Sequence, residues 1–533
     1  MNLREGYSDS RKNPFGSFFI YILFCLIIGF IAGEIMGSAL VAQENNHLLI
    51  EQQWLEKMGY IAVPGTALLP EIKSLKTYLA GGLFFALSLG LCYAFIWGLL
   101  IWGPMPWPKV RIGLSIILFW MIVFLYVTTP GWIHFWTFGL FLMIVPFLLY
   151  MVSLNFSFHK NRKNGVLRTI PYIAGFTGAI MIIYFFITPS MTSKDFIRIR
   201  DGFFGRTKWG REITDFYYHY TLYPARVIKN FDQRIQRFLR IEPNTFTDRE
   251  LRRLRNFLLW RDIFIGEDAP SHALIKKNPE NGKILLISEL PRFTIETDLK
   301  DLFNDPDTIL EGYQYRSDSA LFLRKAVRWS IFQIWPLMGL FLIYGFFIFM
   351  CDLLFKKSAP SRDNILAFLL AMLLLMGLRS LVKPNHVSMD TETLLNRLEG
   401  KDSGKKITAI MALWERIEKD KTQTKDFSEY YMKMLQDPDP IVQKWGIDFL
   451  ILAGEKGAVQ ILIDFLKHPD AHLAYHAARG LGKLRVREAK EPLLDVLYGR
   501  GSWYVKSEAH NALRRIGWSQ LSLTKHQTGN PSL

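Results

Sequence analysis

The sequence predicts a mainly α-helical, polytopic membrane protein with about seven transmembrane helices, a small soluble α+β insertion and a C-terminal HEAT-like α-solenoid. Three observations carry that prediction. Seven long apolar runs are nearly free of charge, a charged and aromatic stretch separates the fifth run from the sixth, and a period of 31 residues recurs near the C-terminus.

The runs are 17–41, 78–102, 112–128, 133–155, 170–189, 329–355 and 363–382. Each is long enough to cross roughly 30 Å of hydrocarbon. No water is present there to satisfy backbone groups, so each is expected to be helical. The basic leader MNLREGYSDSRKNPFG precedes a run too long for a signal peptide, and the sequence near Ala42 is a poor cleavage site, so the first run is read as an uncleaved anchor. Cys25, Cys92 and Cys351 all lie in apolar runs, which leaves the soluble parts without a disulfide or a thiolate metal site.

The net charge of +16 is assigned to membrane-flanking Lys and Arg rather than to nucleic-acid binding. Arg4, Arg11, Lys12, Lys109, Arg111, Lys160, Arg162, Lys163, Arg168, Lys356, Lys357 and Arg362 fall on the N-terminal side. The short loops opposite carry only Lys57, Lys73 and Lys76. That asymmetry predicts an inner (cytoplasmic) membrane protein with its N-terminus in the cytoplasm. Seven crossings then put the insertion and the C-terminal region in the periplasm. Lys194, Arg198, Arg200, Arg324, Lys325 and Arg328 run against that assignment.

The expected organisation is a membrane domain over 1–190, the insertion over 191–327, two further spans within 328–384, helical repeats over 385–520 and a flexible tail over 521–533. Within the insertion, apolar residues recur at helical spacing through Trp209, Ile213, Phe216, Tyr217 and Tyr220, then Val227, Phe231, Ile235 and Phe238. Pro224 is expected to divide two helices. Arg226, Lys229, Arg234, Arg237 and Arg240 would lie on the polar side, so 206–240 is a candidate for binding anionic lipid headgroups. A helix packed on its own domain is the alternative. Thr247 and Glu250 form a capping box opening a further helix. HALIKKNPENGKILLIS reads as two strands joined at NPENG, with RFTIE as a third. No RNP pattern or zinc-finger spacing appears, so no nucleic acid is expected.

In the last region Leu435, Leu466 and Leu497 are spaced 31 residues apart. Pro438 and Pro469 share that offset, as do Asp439 and Asp470. Val442, Leu473 and Val505 correspond, followed by Gly446, Ala477 and Ala509, then Leu450, Leu481 and Leu513. An earlier copy begins at Leu398, Asp402, Ala409 and Leu413. Each copy reads as a helix, a turn and a helix, and such hairpins must stack to bury their apolar faces. The pattern resembles the short HEAT-like repeats named after phycobilisome lyases, over roughly 395–518. The resemblance implies an extended docking surface for a protein partner. Arg479, Lys483, Arg485, Arg487, Trp503 and Tyr504 are the candidate contacts.

Gly29, Gly33 and Gly37 in the first run, and Gly82, Ala86 and Gly90 in the second, place small residues on one helical face, as in close helix packing. Ala174 and Gly178 have the same spacing in the fifth. Glu34 is the one acid well inside an apolar run and is a possible intramembrane polar site. His468, His472 and His476 have no matching half-site in the other copies, so a structural role is expected and no metal is assigned. No P-loop, nucleophile elbow or zincin motif occurs, and no cofactor or catalytic residue is assigned. The expected function is a membrane scaffold or accessory subunit. A transporter or channel subunit using Glu34, and a membrane enzyme acting on lipid or glycan, are the alternatives.

Overall fold

The computed structural model describes residues 14–65, 68–102, 120, 135–156, 207–271, 273–289, 292–318, 320–354, 360–382, 390–419, 428–454, 459–499 and 501–521. The chain is predominantly helical. Helix α1 (Pro14–Lys57) runs 44 residues, well past the end of its apolar run. Trp54 and Leu55 on its last turns pack against Ala62, Phe238 and Phe264, and this tertiary burial carries the helix beyond the apolar segment. After the short α2 (Leu69–Ile72), α3 (Leu75–Phe85) continues through a π-helical turn, Ala86–Gly90, into α4 (Leu91–Trp102). Helix α5 spans Phe135–Phe156.

The insertion opens with α6 (Lys208–Val227), a single helix with Pro224 inside its last turn. The expected division at Pro224 does not occur, because a proline that close to the end disturbs little of the helix. The predicted second helix is instead a turn followed by strand β1 (Arg237–Ile241). Helix α7 (Asp248–Leu259) begins at a complete capping box between Thr247 and Glu250. It is followed by β2 (Ile263–Gly266), β3 (Ala273–Lys277), β4 (Ile284–Glu289) and β5 (Arg292–Thr297). The five-stranded sheet has the order β2-β1-β3-β4-β5. β1 is parallel to both of its neighbours, and β3, β4 and β5 form an antiparallel meander. The sheet thus has two strands more than the sequence suggests. RFLRI and IFIG are short, and both were masked by helical spacing around them. Leu239, Leu254, Leu258, Ile263 and Ile275 form the core between α7 and the sheet.

Helices α8 (Leu299–Asn304) and α9 (Pro306–Ser317) lead back to the long apolar helices. Helix α10 (Leu321–Trp329) passes through a second π-helical turn, Ser330–Ile334, into α11 (Trp335–Leu354), and α12 (Pro360–Val382) follows. Among the described residues three helices are long and apolar enough to cross a membrane: Phe19–Lys57, Leu75–Ile101 and Leu321–Cys351. This is fewer than the seven expected. Runs 112–128 and 170–189 lie outside the described residues apart from Trp120. The apolar parts of α5 and α12 are shorter, Thr137–Leu149 and Ile365–Leu374.

The C-terminal region is a succession of helical hairpins: α13 (Thr391–Glu399) with α14 (Ser403–Lys419), α15 (Ser428–Leu435) with α16 (Pro440–Ala453), α17 (Val459–Phe465) with α18 (Ala471–Lys483), and α19 (Lys490–Tyr498) with α20 (Trp503–Arg515). They stack in a general solenoid-like arrangement. Leu435, Leu466 and Leu497 are buried, as are Ala477, Ala509, Leu450, Leu481 and Leu513. Asp439 and Asp470 cap α16 and α18, each accepting from the backbone N–H two residues on. Their side chains supply acceptors that a helix N-terminus otherwise lacks.

Candidate functional site: a junction at the end of helix α1

Three parts of the chain meet where α1 leaves its apolar run. Glu44 and Glu51 lie seven residues apart, two turns of one α1 face, and both are buried. Arg226, at the end of α6, brings Nε to 3.5 Å from Glu44 Oε2 and donates from Nη2 to Glu51 Oε2. Arg234 completes the square, with Nη2 at 3.5 Å from Glu44 and Nη1 at 3.4 Å from Glu51. Burial alone would lower the Arg226 pKa, but Glu51 and Glu44 outweigh it and the net direction is upward. Lys229 sits beside them, its pKa lowered by burial and by the Arg226 and Arg234 charges. Leu48, Gln52, Lys229 and Gln236 help to line a cavity of about 20 Å³ here. That holds about one water and no substrate.

Beyond the cluster, the segment Ile61–Val63 is clamped from two directions. Gln236 accepts from Val63 N–H at 2.7 Å and donates to the Ile61 carbonyl at 2.7 Å. Gln520, near the C-terminal end, accepts from Ile61 N–H at 2.8 Å and donates to the same carbonyl at 3.0 Å. Asp268 receives Trp54 Nε1 at 2.9 Å and Lys57 at 3.2 Å. Buried Asp262 pairs with Arg514 at 2.9 Å and faces His510 at 3.4 Å, and Arg514 also donates to the Trp260 carbonyl. The sheet domain and the helical stack are therefore joined to each other and to the same end of α1.

These contacts use several residues nominated from the sequence. Trp503 Nε1 donates to the His219 carbonyl at 2.9 Å, and Tyr504 lies in a ring cluster with Tyr218, His472 and Tyr475. Both face helix α6 of the same chain. Arg485 and Arg487 are exposed and border an open cleft of about 470 Å³ with Val459 and Leu484. Arg487 also borders a second cleft, about 420 Å³, with Trp260, Lys490 and Trp518. Lys483 is exposed along much of its length, and its pKa is lowered by partial desolvation and by Arg479. The basic residues expected to meet anionic lipid are mostly engaged internally. Besides Arg226 and Arg234, Arg237 pairs with Asp232 at 3.0 Å and Arg240 with Glu289.

The three histidines are held apart by separate partners. His472 Nε2 is 2.8 Å from Asp215, His476 Nδ1 is 3.1 Å from Asp448, and His468 Nδ1 accepts from Asp470 N–H at 3.0 Å. Among the described residues no group of His, Cys, Asp and Glu has the geometry to hold a metal ion.

Among the long apolar helices, α1 runs against α3 and α4 backbone to backbone. A Cβ on Gly37 would lie 2.9 Å from Gly82 Cα, and one on Gly33 would lie 2.8 Å from Gly90 Cα and 2.9 Å from Ala86 Cα. Gly29 faces Gly90 and Ala94 in the same way. In a regular α-helix, residues four apart overshoot one turn by about 40°, so a four-residue seam drifts off its partner. A π turn holds more residues, and four of them fall short of a full turn instead. The π turn at Ala86–Gly90 thus offsets the drift and keeps Gly82, Ala86, Gly90 and Ala94 in line. Glu34 lies beside this seam, accepting from Ser38 Oγ at 3.3 Å and turned toward Gly82. The sequence gives no sign of the π turn, nor of the pairing of Glu44 and Glu51 with residues 175 or more positions away.

No protein-family model matches the chain, and no curated protein matches it. The junction supplies fixed charge pairs and clamps in a space the size of one water. Such a site positions parts of the chain and has no room to turn over a substrate.

Proposed function

We propose that the protein is an integral membrane scaffold or accessory subunit, whose HEAT-like stack docks a protein partner at the membrane surface. The observation that carries this reading is the division of the stack surface. One side is fixed to α6, the sheet domain and the Ile61–Val63 segment, while Arg485 and Arg487 border an open cleft with Val459 and Leu484. Extended helical stacks present such surfaces to partners, and charged rims steer encounter.

The direction of the described helices supports a seven-span topology. α1 leads away from the N-terminal side and α3–α4 returns. α10–α11 runs back from the insertion and α12 leads out again to the stack. The insertion meets α1 at its far end, the side to which the seven-span expectation assigns it.

Crosslinking with mass spectrometry in native membranes tests the reading. A partner crosslinked near Arg485 and Arg487 is expected, and Arg485→Glu with Arg487→Glu should abolish those crosslinks at unchanged thermal stability. Recovery of no partner, or crosslinks indifferent to the charge reversal, would sink the proposal.

A further inference from the structure

We infer that α6 is an interfacial helix, with Ile213, Phe216 and Tyr217, together with Trp209, seated in the headgroup and upper acyl region of the bilayer and the helical stack resting on its opposite side. The inference rests on the reading of the chain as membrane-embedded.

The first support is the helix's direction. From His219 to Arg226 it advances about 10 Å. Over that length its contacts, direct or through α2 and α3, stay within residues 41–51 of α1. His219 meets Glu71 at 3.1 Å, and the adjacent Ile72 carbonyl accepts from Asn45 at 2.9 Å. Tyr223 lies beside Gly81, which packs on Val41. Arg226 binds Glu44 and Glu51. α6 thus meets α1 near residues 41–51, where the apolar run ends.

The second support is the opposition of its faces. Asp215, Tyr218 and His219 touch His472, Tyr504 and Trp503 of the stack. At 100° per residue, Trp209, Ile213, Phe216 and Tyr217 are centred roughly 150° away. These four are 48%, 51%, 41% and 54% exposed. The stripe is continuous with the start of the second span, because Phe216 packs on Tyr220, Tyr220 lies under Lys76, and Leu75 and Leu79 beside Lys76 are exposed.

Tryptophan and tyrosine mixed with aliphatic residues suit the membrane boundary. Four arginines that could have drawn this region to anionic lipid, Arg226, Arg234, Arg237 and Arg240, are in ion pairs within the chain. The apolar stripe therefore carries the seating. A partner protein or a second copy over the stripe is the competing occupant.

The test places single spin labels on the full chain in nanodiscs, with Cys25, Cys92 and Cys351 replaced by alanine. Labels go at Ile213→Cys and Phe216→Cys, with Ile35→Cys as the lipid reference and Lys300→Cys as the water reference. Ile35 is 67% exposed on α1 within the first span. Collision with oxygen should exceed collision with a water-soluble nickel chelate at 213 and 216, as at 35 and opposite to 300. The ratio should be the same in phosphatidylcholine discs with and without phosphatidylglycerol. A water-like ratio at 213 and 216, exclusion of both reagents there, or lipid-like contact only with phosphatidylglycerol present would overturn the inference. A water-like ratio at Ile35→Cys would overturn the membrane reading itself.

Discussion

Arg226 donates to Glu51 across 175 residues of sequence, joining the end of α6 to the outer part of α1 with both side chains buried. Removing Glu51 leaves two largely buried arginines sharing the single carboxylate of Glu44. Glu51→Ala is expected to cost about 3–5 kcal/mol. Thermal unfolding of the purified protein in detergent checks this. The double variant Glu51→Gln with Arg226→Met should lose less than the sum of its parts, and additivity would mean that the pair does not couple.

The seam between α1 and α3–α4 leaves no space for a side chain at Gly33. Gly33→Leu should destabilise by about 1–3 kcal/mol or more through overpacking. Gly139→Ala is the matched control, since a Cβ there meets nothing within 4 Å. The two variants are compared by melting temperature, and equal shifts would refute the seam.

Glu250 closes the capping box of α7, bonded to the Thr247 backbone and hydroxyl and to Lys277 at 2.9 Å. The Thr247 N–H and Lys277 hold its pKa down at about 2, below its ordinary 4.5. A carboxylate with a lowered folded-state pKa contributes stability that is fully present above the unfolded value and fades as pH falls toward the folded one. Glu250→Gln should therefore cost about 1 kcal/mol at neutral pH. Hydrogen exchange of α7 amides should show the difference shrinking between pH 4.5 and 2.

In the stack, Asp448 is held ionised despite its burial, its pKa pushed down by His476 and by Lys444 at 3.3 Å. Asp448→Asn removes the carboxylate that Lys444 and His476 share and should cost about 3–5 kcal/mol. Lys433→Ala removes an exposed pair with Glu399 and should stay within about 0.5 kcal/mol of the parent. Thermal melts of both variants separate the two kinds of ion pair.

The hairpins of the C-terminal region were legible because stacking requires a buried leucine and a small residue at fixed places, and Leu435, Leu466 and Leu497 supply the period directly. Turn chemistry was legible too, in NPENG and in the Thr247–Glu250 pair. Strand β1 was not. Its Phe238 and Ile241 fit a helical spacing as well as an extended one, and only pairing with β2 and β3 decides between them. Glu44 and Glu51 fall in the stretch read as a loop after the first apolar run, and their partners lie far along the chain. Trp503 and Tyr504 looked like exposed contact residues, because nothing local marks which side of a hairpin meets α6. Periodicity records what a residue repeats with, and carries no record of what it meets across the fold.

The two π turns face each other across the bundle. Trp335 Nε1 donates to the Leu87 carbonyl at 2.8 Å, and the Cys92 thiol donates to the Ser330 carbonyl at 3.6 Å. Each widened turn is thus served by a side chain placed just after the other. If one helix tightened to regular α geometry by slipping a single residue, both donors would lose alignment. The pair behaves like meshed gear teeth: a one-residue rotation of either span has to turn the other with it.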